Sequence, residues 1–144
     1  MCDMRIGSED CFFAETFSNL ALVPGDGGTF FLPRVVGYTN AMDMFLTGRK
    51  VKSNEAKDMG LLNRVFSNED VWDEAIKMAK IISSKPPIAI QMTKKALKHS
   101  WKNRDLEYNL DLLSAYQSIT QRTADHDLAL AKIKTKEETE FTGK

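Results

Sequence analysis

The run Val23-Pro24-Gly25-Asp26-Gly27-Gly28-Thr29, continuing to Leu32-Pro33-Arg34, constrains the fold more than any other stretch of the chain. Four of the eight glycines fall between Gly25 and Gly37. A residue without a Cβ enters positive φ at no steric cost and lets the backbone approach a ligand closely. A turn of this kind ahead of an apolar stretch predicts a helix over 29–36, whose first N–H groups are unsatisfied and favour a negative charge. Asp26 stands at that junction. It fits two roles: a helix cap, which Asp often fills, or an acid or base held on a tight turn.

The chain changes character near 64–67. Before that point the apolar patches are short, and Met4–Ile6, Phe12–Ala14, Leu20–Val23 and Leu62–Phe66 read as strand pieces. Between them Thr39 can cap a helix with an inner face of Ala41, Met42, Phe45 and Leu46 and a stop at Gly48. Beyond 67 the pattern is helical. Ser67-Asn68-Glu69-Asp70 is a start signal for a helix carrying Val71, Trp72, Ala75, Ile76, Ala79 and Ile82 at helical spacing. Pro86-Pro87 suits the first turn of the next helix, where the missing N–H costs nothing. Asp105 opens another, and Thr123 caps a final one. The helix after Asp105 is apolar on two sides, with Leu106, Leu110 and Leu113 on one and Leu112, Tyr116 and Ile119 on the other. Such a helix is buried in a core or an interface, and unburied apolar faces mark association sites.

Composition narrows the function classes. A chain of 144 residues suggests one domain. Lysine plus arginine equal aspartate plus glutamate at 20 each, so no bulk charge points to nucleic acid. No apolar run reaches the roughly 20 residues that span a bilayer, and no secretory pattern opens the sequence. Cys2 and Cys11 have neither CxxC nor Cys/His spacing, which predicts reduced structural thiols and a cytoplasmic setting. His99 and His126 lack ligand partners at metal spacing and read as surface helix residues.

A second stretch gives the turn a context. Phe45-Leu46-Thr47-Gly48-Arg49, Ser53-Asn54-Glu55-Ala56-Lys57 and Gly60-Leu61-Leu62-Asn63-Arg64-Val65 follow in order after the glycine turn and Leu32-Pro33-Arg34. This ordered set across 24–65 resembles the crotonase superfamily, the enoyl-CoA hydratase/isomerase fold. Lys85-Pro86-Pro87 and the charged tail look similar as well. The resemblance implies an α/β chain, mostly helical, that corresponds to the C-terminal half of a crotonase-like fold. Residues 1–66 would be a remnant of the crotonase core, and 67–144 a helical oligomerisation region forming a homotrimer or hexamer. It implies an acyl-CoA thioester as substrate, proton transfer with enolate stabilisation, no separate cofactor or metal, and neither nucleic acid nor membrane as partner.

Residue by residue, Met1-Cys2-Asp3 looks like the family's Cys-Asp pair, upstream of which lie both backbone N–H donors that stabilise the enolate. The expectation is that this chain lacks them and is inactive alone. Of the two hydratase glutamates, one would precede Cys2 and the other falls on Phe17. Asp26 lies where dienoyl-CoA isomerases, peroxisomal-type enoyl-CoA isomerases and a haloaroyl-CoA dehalogenase place an acid. Set beside Leu22, Val23 and Phe17, it would hold a proton more readily than usual. Glu15 is the second candidate acid, against a reading as a solvated charge. In the Lys132, Lys134, Lys136 strip, Lys136 matches the family lysine that contacts CoA phosphates, and Ile133 the position stacking near the adenine; the strip also reads as a solvated face. A different class stays open: a non-catalytic helical oligomerisation domain or fragment.

Overall fold

The computed structural model describes residues 2–135 and 140–144. Two compact units divide the chain, Met1–Ile76 and Lys77–Lys144, and the division falls within one helix.

The first unit runs β1 (Ile6–Ser8), β2 (Phe12–Phe13), a 3-10 turn (Phe17–Leu20), α1 (Gly28–Val36), α2 (Tyr38–Thr47), β3 (Val51–Lys52), α3 (Ser53–Asp58) and β4 (Arg64–Phe66), and then enters α4 (Val71–Ser83). β1 pairs in parallel with β4, Gly7 opposite Val65, and β2 pairs antiparallel with β3, Phe13 opposite Val51. Gly7 is obligatory in that pairing. A Cβ there would come within 2.7 Å of both the Cys11 sulfur and Leu62 Cδ1. Leu32 and Val36 of α1, Ala41 and Met44 of α2, Val51, Ala56, Leu61 and Leu62 form the core.

Arg49 ties α2 to α3. Its guanidinium grips Glu55 with two hydrogen bonds of 3.0 and 2.5 Å, while Nε donates to Asp43 at 2.6 Å. The bonds from Arg49 hold the Glu55 carboxyl below its ordinary range. The spaced Arg and Glu seen in the sequence are therefore two ends of one ion pair.

Three local readings change. The patch Leu20–Val23 is not a strand. Ala21 takes a left-handed φ of 55°, and Ala21 and Leu22 donate their N–H groups back to Ser18 and Phe17. Leu20, Leu22 and Val23 are 67%, 59% and 80% exposed. In α2 the cap position is Gly37, not Thr39, and the buried residues are Ala41 and Met44. Met42 and Leu46 lie on a common stripe turned some 100–140° from Ala41, given 3.6 residues per turn, and face outward. The stop does fall at Gly48, in the left-handed region with its N–H on Met44 O.

The second unit takes the rest of α4, then α5 (Pro87–Lys102), α6 (Leu106–Thr120) and α7 (Ala124–Thr135). Ser67 and Asp70 bond to each other ahead of α4, and α5 begins at Pro87. The Asp105 carboxylate accepts the Tyr108 N–H at the start of α6, and the Thr123 hydroxyl accepts the His126 N–H at the start of α7. Asn109 is buried between α5 and α6, donating to the carbonyls of Asn103 and Asp105 and accepting from the Ser100 hydroxyl. Leu106, Leu110, Leu113 and Ile119 of α6 remain exposed. Among the described residues no helix is long and apolar enough to cross a membrane.

Met44→Ala is expected to cost about 2–5 kcal/mol through the cavity it opens, and Asp105→Ala about 1 kcal/mol through the lost cap. Urea unfolding followed by circular dichroism checks both.

Candidate active site

The glycine turn places Asp26 just ahead of α1. Gly27, with φ 85°, is the cap residue, a conformation that suits glycine. Asp26 nevertheless does capping work from one position earlier, since its Oδ1 accepts the Gly28 N–H at 2.8 Å. The same carboxylate lines a cleft of about 280 Å³. The two roles the sequence leaves open are thus compatible in one geometry.

Glu15 lines the same cleft. It follows β2 by two residues, so the β2–β3 pair carries it towards the turn that carries Asp26. Its carboxyl holds a proton above the ordinary value of 4.5, first because burial strips it of water and second because the Asp26 charge opposes its own. Glu15 is half-buried rather than solvated. The apolar wall comes from Phe31, Leu32 and Val35 of α1 and from Leu61. Leu22 and Val23 do not form it. They stand exposed on the turn after the 3-10 segment, and the cleft opens elsewhere.

Arg5, which no sequence motif singles out, completes the lining. Its Nε donates to Leu61 O at 2.5 Å and Nη1 to Cys2 O at 2.9 Å. Its main chain exchanges bonds with Asn63: the Arg5 N–H donates to Asn63 Oδ1 and the Asn63 N–H to Arg5 O. No local signal marks Arg5 as a cleft residue, because the partners that hold it beside the cleft, Leu61 and Asn63, are more than fifty positions away.

The other candidates lie in the second unit. Ile133 is 75% exposed on α7; Lys136 lies outside the described residues. His99 is not a plain surface residue: its ring stacks at a tilt 5.2 Å from that of Tyr108, and its Nε2 is buried without a hydrogen-bond partner. Packing of α6 against α5 covers it. His126 is half-buried at the start of α7. Cys2 and Cys11 are free thiols. Among the described residues no cluster of His, Cys, Asp or Glu has the geometry to hold a metal ion.

The enoyl-CoA hydratase/isomerase family model matches residues 1–144, and the chain belongs to that family. It is 32% identical over 142 residues to a 1,2-epoxyphenylacetyl-CoA isomerase of Escherichia coli, covering 99% of this chain and 54% of that protein. It is 38% identical over 118 residues to a peroxisomal Delta(3,5)-Delta(2,4)-dienoyl-CoA isomerase of Arabidopsis thaliana, covering 81% of this chain and 42% of the other. The crystal structure of an enoyl-CoA hydratase from Bacillus anthracis superposes with a TM-score of 0.95 at 32% identity, over 99% of this chain and 55% of that one. The chain spans about half the length of these relatives.

The Glu15 environment predicts a pH dependence with a definite sign. Because the folded state binds this proton more tightly than the unfolded chain, Glu15 opposes stability increasingly as pH rises from 4.5 through its raised value. Glu15→Gln is expected to flatten that slope. Asp26→Asn is expected to lower the Glu15 titration midpoint without returning it to 4.5, since burial is the larger cause. Carboxyl ¹³C titration by NMR checks the shift.

Proposed function

We propose that this chain supplies the acid–base half of an enzyme that moves a proton on an acyl-CoA thioester, with Asp26 and Glu15 as the groups that carry it. The observation that supports this most is the meeting of the two carboxylates on one partly apolar cleft, with Glu15 inclined to keep its proton. One carboxylate ready to accept and a second ready to donate is what a carbon-to-carbon proton shift requires. Phe17 carries no proton at the position where hydratases keep a glutamate, which favours isomerisation over hydration.

In this reading the substrate carbonyl becomes an enolate whose charge is held by two backbone N–H donors. Ile133, near the end of α7, and Lys136, which follows α7 in sequence, are the residues that meet the CoA nucleotide. The enzyme works in the cytoplasm as a homotrimer or hexamer, joined through the helical region.

In the enzyme of full family length, Asp26→Asn is expected to lower kcat by about 10²–10⁴ while acyl-CoA binding stays nearly intact. Asparagine still accepts the Gly28 N–H, so a purely capping Asp26 would tolerate it. Activity within about twofold of the parent would return Asp26 to a structural role. Assembly has its own check. The exposed leucines of α6 predict a trimer or a multiple of one by light scattering, and a monomer at micromolar concentration would overturn that part.

A further inference from the structure

Asp125 is the deepest charged side chain described, 1% exposed at the start of α7. A carboxylate so placed needs donors to replace water. Among the described residues its donors all come from one place, the last residues of the chain. Oδ1 accepts the Thr142 N–H at 2.8 Å and lies 3.4 Å from the Thr142 hydroxyl, while Oδ2 accepts the Gly143 N–H at 2.8 Å. The Asp125 N–H donates in turn to Lys144 O. Two features seat the same segment from the other side. Gly143 has φ 75°, and a Cβ on it would stand 3.0 Å from Pro87 Cγ at the head of α5. Farther along, the Lys132 ammonium lies 5.9 Å from the Phe141 ring centroid.

We propose that Asp125 is a positioning residue: its buried carboxylate straps residues 141–144 back across the start of α7, and the strap fixes Phe141 beside Lys132, so that the basic end of α7 meets the phosphates of a CoA thioester in one orientation. The strap stands on the hydrogen bonds alone; its consequence for CoA rests on the acyl-CoA reading above. Three donors on one carboxylate make a strong lock, because hydrogen bonds to a charged group are the strong ones. The lock is also specific in shape. Glycine is required at 143 by both its φ and its contact with Pro87, so the strap is built for this seat rather than resting on it.

Two variants test the lock from opposite sides. Asp125→Asn places an NH₂ group against backbone N–H donors, and Gly143→Ala strains the strap while leaving Asp125 intact. Both are expected to speed amide exchange at Thr142 and Gly143 by about 10–100-fold, the equivalent of about one hydrogen bond to a charged group. In the full-length enzyme both are expected to raise KM for an acyl-CoA by about 3–10-fold with kcat held within about twofold, and to leave KM for the matching acyl-pantetheine, which lacks the nucleotide, unchanged. Unaltered exchange in both variants would overturn the strap. Faster exchange with KM unmoved, or with KM raised equally for both thioesters, would overturn the positioning role. Should the unaltered enzyme turn over neither thioester, the acyl-CoA reading falls together with the positioning role, and amide exchange alone decides the strap.

Discussion

The parallel pair β1–β4 contributes three residues on each side, and parallel pairing is the weaker kind per residue, with a long connection to close. Arg5 offsets that weakness from just outside the ladder. Its main chain exchanges hydrogen bonds with Asn63, and its guanidinium reaches Leu61 O, so the chain entering β1 and the chain entering β4 are joined by three bonds before the ladder begins. Gly7 then lets Leu62 close against the strand, and Leu61 and Leu62 anchor the core that α1 and α2 cover. The cleft inherits its walls from this arrangement. Leu61 lines it because Arg5 holds that carbonyl in place, and the α1 face lines it because Leu32 and Val36 are buried on the same core.

On that scaffold the two carboxylates are treated differently. Asp26 receives a backbone N–H from the first turn of α1, where the helix end also favours a negative charge. Glu15 has no such partner among the described residues and sits where burial and the Asp26 charge both act against its ionisation. Neighbouring acids whose surroundings push them apart can take opposite parts in one proton transfer. The glycine turn is therefore a structural cap and a chemical device at once. A substitution that disturbs one will disturb the other unless it preserves the acceptor oxygen.

How much of this was legible in the sequence depends on how far apart the cooperating residues lie. Helix starts at Asp105 and Thr123 were plain, because a cap needs only a side chain and an amide three residues on. The stop at Gly48 was plain for the same reason. Leu20–Val23 misled, since an apolar run shows composition but not the left-handed Ala21 that turns it outward. The inner face of α2 was half right, and the apolar Met42 and Leu46 took the place of Met44 because nothing local distinguishes a core face from an exposed apolar one. Asp26 was legible from its turn. Its nearness to Glu15 was not, because the β2–β3 pairing that carries Glu15 there depends on residues far along the chain. His99 was misjudged for a related reason: the ring that covers it belongs to Tyr108, on the next helix.

One feature of the first unit has a bearing on how it withstands damage. Arg49 answers two acids with a single cation, Asp43 on α2 and Glu55 on α3. The loss of either acid leaves the arginine engaged by the other, so the joint between the two helices fails in stages. The loss of Arg49 does the reverse, leaving two like charges facing each other with nothing between them. The arrangement is redundant in its anions and irreplaceable in its cation, and mutational tolerance at the three positions should be unequal in the same sense.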